Sequence, residues 1–215
     1  YPVLFDERIA ASLIGHLLAA ANGSSIARGA SWLRGRLGQQ VLPKGLSLIE
    51  DPHRPRTSGS RPFDAEGLPT QRRVIVEDGM LTGWTLDLVS ARKLGMAPTG
   101  NAARGTSSAP SPSNWNVALD QGTASRDDLI RDMGTGLLVT SMIGATINPN
   151  TGDYSRGAAG MWIENGEITH AVNECTIAGS LPEMLRALVP ANDARTHLSR
   201  VVPSLLVPGM TLAGS

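Results

Sequence analysis

Apolar side chains recur every three to four positions near the start of the chain, at Ile9, Leu13, Leu17 and Ala20. This period predicts an amphipathic helix with Asp6 as its N-cap and Asn22-Gly23 as its stop. A second helical stretch is expected over 26–37, with Trp32, Leu33 and Leu37 as its apolar side and Gly38 ending it. Two capping boxes announce further helices: Ser125 with Asp128, and Ser180 with Glu183. The first carries Leu129, Ile130 and Met133 up to Gly134, the second Met184, Leu185 and Leu188 up to Pro190.

Elsewhere the pattern changes to strands and tight turns. Val74-Ile75-Val76 and Met80-Leu81-Thr82 flank Glu77-Asp78-Gly79 and predict a hairpin across 71–86. A longer hairpin runs from Gly152 to Thr169, folded over Asn165-Gly166, a pair that tolerates the positive φ of a type I′ turn. Its small run Gly157-Ala158-Ala159-Gly160 lets another backbone or side chain approach closely. Val76 to Thr82 is echoed in Ile163 to Thr169, which shared turn chemistry explains more simply than duplication. Residues 173–177 read as strand, and 204–207 with 210–212 as two short strands around Pro208-Gly209. Pro52 to Pro62 reads as a surface loop, and 106–114, dense in Ser and Pro, as a mobile one. Hairpins outnumber crossovers, so the expected class is α+β, mainly antiparallel β-sheet and hairpins with several short packing helices.

Composition narrows the partners. Nineteen basic and 19 acidic residues cancel, leaving no long-range pull toward polyphosphate or an anionic bilayer. Direct nucleic-acid binding is therefore not expected, and Arg54, Arg56, Arg61, Arg72 and Arg73 read as solvated surface. No apolar run approaches the roughly 20 residues of a membrane span. The single cysteine, Cys175, excludes an internal disulfide and suits a reducing compartment.

Candidate chemistry is sparse. A catalytic zinc needs three converging protein ligands and a nearby carboxylate. Of the four histidines, His16 lies on the first helix with Ser12, Leu17, Ala20 and Ala21 at the useful offsets, so no H-E-x-x-H passes through it. His53, His170 and His197 stand alone. No catalytic residue is assigned, and His16 is the sole metal candidate. Cys175 reads as a buried, inert thiol. There is no G-x-S-x-G elbow, and Gly134-Thr135-Gly136 lacks the rest of a phosphate loop. Asp153, Tyr154, Ser155, Arg156 and Gly157 are the candidate contacts for a peptide or partner, with Asp153 and Arg156 as a conceivable clamp.

Several landmarks in order carry a family resemblance: 37–41 (LGQQV), 63–67 (FDAEG), 90–95 (SARKLG), 133–137 (MGTGL), 152–160 (GDYSRGAAG) and 176–179 (TIAG). Together they resemble the TldD/PmbA family, once labelled modulators of DNA gyrase, and 63–67, 90–95 and 152–157 resemble its PmbA/TldE branch. The resemblance implies that residues 1–215 are the C-terminal domain of a cytoplasmic bacterial protein. It implies a TldD-type partner, or self-association as a dimer, in a complex that cleaves unfolded or small peptides. In the TldD branch an H-E-x-x-x-H helix and a cysteine near the C-terminus hold zinc. Here the helix offers only Leu13-Ile14-Gly15-His16-Leu17-Leu18-Ala19, and the later segment reads Val201-Val202-Pro203-Ser204. The resemblance therefore implies a non-catalytic subunit without its own cofactor, the zinc belonging to the partner. A metallopeptidase in its own right and a protein-binding modulator of gyrase are the alternatives.

Overall fold

The computed structural model describes residues 1–214, with Ala145 described by its backbone alone; Ser215, the end of the expected domain, lies outside the described residues. The chain opens with β1 (Val3–Phe5), α1 (Glu7–Ala20) and α2 (Gly23–Arg28). Then come β2 (Leu48–Glu50), β3 (Arg73–Glu77), β4 (Met80–Leu81), α3 (Leu88–Leu94), β5 (Ala102–Ala103), β6 (Ser111–Pro112) and β7 (Val117–Leu119). α4 (Arg126–Met133) leads into the three long strands, β8 (Gly136–Ile147), β9 (Asp153–Glu164) and β10 (Glu167–Ser180). The chain finishes with α5 (Leu181–Ala187), β11 (Val189–Pro190), β12 (Arg200–Val201), β13 (Leu205–Val207) and β14 (Thr211–Ala213). The class is α+β, as the patterning implies.

The larger sheet has the order β11-β13-β1-β8-β9-β10-β14. β1 and β8 are parallel and its other neighbours antiparallel. A smaller sheet, β12-β7-β2-β3-β4, carries the first predicted hairpin, and β5 with β6 forms a separate ribbon. Strand alternation divides the apolar residues between two faces. Val3, Phe5, Leu137, Val139, Leu205 and Val207 join the main core with α1 and α5. Leu4, Leu138, Ile163 and Leu206 point the other way, against Leu129 and Ile130 of α4. Leu48, Ile75, Leu81 and Leu119 of the smaller sheet share the main core, which α1 enters through Leu13, Ile14, Leu17 and Leu18. Among the described residues, no helix is long and apolar enough to cross a membrane.

Local expectations and structure part company in four places. The first helix ends at Ala20, just ahead of Asn22-Gly23 as expected, but the pair is not a C-terminal cap: Asn22 is extended and caps the second helix, its side chain accepting the Ser24 amide. That second helix ends at Gly29 (φ 76) and does not continue through 26–37. Beyond it the Ser31 hydroxyl donates to Ala20 O at 2.6 Å and accepts the Leu33 amide, pinning the chain as a turn. Third, Ser180 makes no side-chain cap, because it is still the last paired residue of β10, opposite Asp153. The Ser125–Asp128 box does form. Finally, 88–94 is a helix capped by a box of Asp87 with Ser90, a pattern too short to register as a period.

Both hairpin turns form as expected, with φ of 48 and 80 at Asp78-Gly79 and of 52 and 76 at Asn165-Gly166. The close approach at 157–160 is to β8: a Cβ at Gly160 would lie 1.9 Å from Leu138 O. Glu50 supplies the strongest polar tie. Fully buried, its carboxylate accepts from Arg73 Nε (2.6 Å), Asn101 Nδ2 (3.0 Å) and the Trp115 amide (2.5 Å). Arg73 is thus not the solvated surface residue its basic surroundings suggested; it also donates to Trp84 O and Thr85 Oγ1, so the pair leaves little unsatisfied.

Removing one partner of such a buried pair strands the other, so Glu50→Ala should lower unfolding free energy by about 3–5 kcal/mol. Glu50→Leu with Arg73→Met should recover only part of that loss, because the Trp115 amide and Asn101 remain without their acceptor, and urea denaturation of the three proteins checks both statements. Gly160→Ala should cost about 1–3 kcal/mol by the same measurement, since the obstacle is backbone.

Candidate functional site

One flank of α1 presents Ser12, His16 and Ala19, spaced to lie on a single stripe. Its middle residue, His16, lies against β9. The His16 ring meets Tyr154 edge-on, with centroids 5.8 Å apart and planes at 71°. Among the described residues, neither His16 Nε2 nor Ser12 Oγ has a hydrogen-bond partner, although both are buried. Burial, and then the charge of Arg156, hold the His16 pKa below its ordinary value. Tyr154 is buried as well and donates its hydroxyl to Met142 Sδ at 3.5 Å. Burial pushes its pKa up to about 12 against the opposing influence of Arg156.

The strand geometry decides what the signature residues can do together. Tyr154 and Ala158 face the main core, which puts Arg156 on the same face and Asp153, Ser155 and Gly157 on the other. Asp153 and Arg156 therefore form no ion pair. Asp153 Oδ2 accepts from Thr151 Oγ1, whereas Arg156 Nε donates to Gly144 O at 2.6 Å. Ser155 and Gly157 sit in mid-sheet, opposite Thr146 and Ile143 on one side and Ala178 and Thr176 on the other.

Beside His16 a cavity of about 160 Å³ is lined by Trp32, Ile147, Pro149 and Leu181. Trp32 is held there by its amide, which donates to Pro149 O at 2.8 Å. Gly152 makes the packing fit: at φ 82, a Cβ would stand 2.6 Å from Pro182 Cδ and 3.4 Å from Trp32 Cδ1. Sequence reasoning put Trp32 on the apolar side of a helix and gave Pro149 no part, and Gly152, at the head of the signature, is the one local hint of their meeting here. A larger recess of about 470 Å³ between β10, α5 and β13 has Glu183 as its one charged lining residue and none of the candidate chemistry.

A metal does not fit. Among the described residues, no group of three His, Cys, Asp or Glu side chains is placed to hold an ion. His16 has a phenol and a guanidinium for company, and a cation beside Arg156 would be repelled. His53 Nε2 is engaged with Thr70 Oγ1 and His170 Nδ1 with Thr169 Oγ1. Cys175 is buried on β10, donating to Ala158 O at 3.2 Å, and burial pushes its thiol pKa up. These groups converge on no common point.

Comparison with known proteins gives a consistent picture. The family described as PmbA/TldA metallopeptidase C-terminal domain matches residues 1–214. A protein of Escherichia coli O157:H7 named metalloprotease PmbA is 45% identical over 214 residues, covering 99% of this chain and 46% of that protein. A crystal structure from Bacteroides thetaiotaomicron, provisionally described as a modulator of DNA gyrase, superposes with a TM-score of 0.89 at 32% identity. It covers 100% of this chain and 47% of that one. TldE from Thermococcus kodakarensis gives a TM-score of 0.87 at 26% identity, over 99% and 50% of the two chains. The chain thus spans about half the length of the relatives it matches.

The His16 environment predicts a specific pH dependence. A base whose folded pKa is depressed binds its proton more readily in the unfolded chain, so its contribution falls as pH drops below the unfolded value near 6.5. Relative to His16→Leu, the native protein should therefore lose stability below about pH 6.5 and run parallel to the variant above it. Urea denaturation of both proteins from pH 5 to about 8 tests this; a pH-independent difference would refute it.

Proposed function

This chain belongs to the PmbA/TldA metallopeptidase family, and on that premise we propose that it is a non-catalytic PmbA/TldE-type subunit. Its partner is a TldD-type subunit that carries the zinc, and together they act on unfolded or small peptides in the cytoplasm. The observation that carries the reading is the stripe on α1, where His16 belongs to no group of three His, Cys, Asp or Glu side chains placed to hold an ion among the described residues. The chain's own residues serve to shape and bind. They bring no base and no nucleophile to a reacting atom.

The sheet supports a way of receiving extended chain. Among the described residues, β14 pairs with β10 only at Thr176–Ala178, so 168–173 present a backbone edge that no described strand covers. A peptide can add to such an edge as another strand, its main-chain groups making the ladder. Ile168 is 48% exposed on that segment and offers apolar contact to alternate side chains.

Elemental analysis of the purified chain should find far less than stoichiometric zinc, and an unstructured peptide should remain uncut. Native mass spectrometry with a TldD-type subunit should show a joint complex. Stoichiometric zinc together with chelator-sensitive cleavage by this chain alone would overturn the proposal.

A further inference from the structure

We propose that the cleft between the Trp32 segment and α5 binds a carboxylate attached to a compact apolar group. The cleft has two lobes with Trp32 as their common wall. The first is the cavity beside His16, walled by Ile147, Pro149 and Leu181. At about 160 Å³ it is the size of cavity that takes up a benzene-sized group. The second lobe, about 50 Å³, is bordered by Arg36, Arg186 and Gln40.

The two arginines lack an anion. Arg36 Nη1 donates to the neutral Gln39 Oε1 at 2.9 Å, and Arg186 Nε donates to Pro182 O at 3.0 Å, one turn back on α5. Among the described residues, neither has a carboxylate within ion-pairing distance. Glu183 lies on the same short helix but lines the recess on its other side. Two guanidinium groups therefore border one small concavity with N–H donors to spare. Planar forks of this kind match a carboxylate, which two parallel hydrogen bonds can hold. Gly152 supplies the close packing of Trp32 and Pro182 at the junction of the lobes, so the signature hairpin helps to build the site. A ligand with its carboxylate on the arginines and its apolar body beyond Trp32 satisfies both lobes. The inference needs neither the partner subunit nor a metal and goes beyond the companion role.

Two sources offer this chemistry: a free small carboxylic acid and the last residue of a peptide. Isothermal titration of the 215-residue chain with Gly-Gly-Gly-Val, its C-terminal amide, isovalerate and inorganic phosphate separates them. The acid peptide should bind about tenfold or more tightly than the amide, and Arg36→Gln with Arg186→Gln should erase that difference. The thermal midpoint should be unchanged in that variant, because both side chains are exposed. Isovalerate binding as tightly as the peptide identifies a free acid as ligand, and a tighter peptide identifies a chain terminus. Equal binding of acid and amide, no binding of either acid, or phosphate binding better than both would overturn the proposal. Assembly with a TldD-type subunit should be indifferent to the arginine substitutions, so loss of one result leaves the other standing.

Discussion

The geometry of the molecule depends on one carboxylate, that of Asp6. A single residue separates β1 from α1, and Asp6 is that residue. Its amide donates to Val139 O, continuing the strand ladder, while its side chain accepts the Arg8 amide and begins the helix. Arg8 Nε at 2.6 Å and Arg126 Nη1 at 3.4 Å complete its surroundings, the latter reaching across from α4 on the opposite face of the sheet. Burial works to raise the Asp6 pKa, but the bonds from Arg8 and the charge of Arg126 outweigh it and hold the carboxyl below its usual range. With no slack between strand and helix, the rotation of α1 about its axis is fixed. That rotation is what sets His16 over Tyr154.

The same constraint explains why a helix with a histidine on it does not become a metal centre. The stripe meets β9 at His16, which packs on the Tyr154 phenol and feels the Arg156 guanidinium of that strand, with the Met142 thioether on neighbouring β8. Every candidate donor near the imidazole is either weak or positively charged. The groups are suited to filling space and to holding anions, which agrees with the unpaired arginines a short distance away along the same cleft.

What the sequence disclosed follows from the range over which each signal acts. Asp78-Gly79 and Asn165-Gly166 are legible because a turn is decided by its own φ angles. The Ser125 cap is legible for the same reason, while the similar pair at Ser180 is overruled by a strand partner 27 residues earlier, Asp153. β1 gives no periodic signal at all, being three consecutive apolar residues whose parallel neighbour, β8, begins at residue 136. His16 and the Tyr154–Arg156 stretch could be singled out by local reasoning. The meeting of Trp32, Pro149, Leu181 and Gly152 could not, because it is made by three separate parts of the chain. The run 26–37 failed for a single reason: Gly29 turns left-handed just where the apolar pattern asks the helix to continue.

The Asn165-Gly166 turn has a chemical consequence. An asparagine followed by glycine ordinarily deamidates fastest, since the next backbone nitrogen attacks the side-chain amide to close a succinimide ring. Here that nitrogen donates to Gly134 O at 2.8 Å, and Gly166 is buried against Arg131, where even a Cβ would find backbone at 2.9 Å. The attacking group is occupied and the rearrangement has no room. The sharpest bend of the long hairpin is thus shielded from chemical ageing by the loop that follows α4.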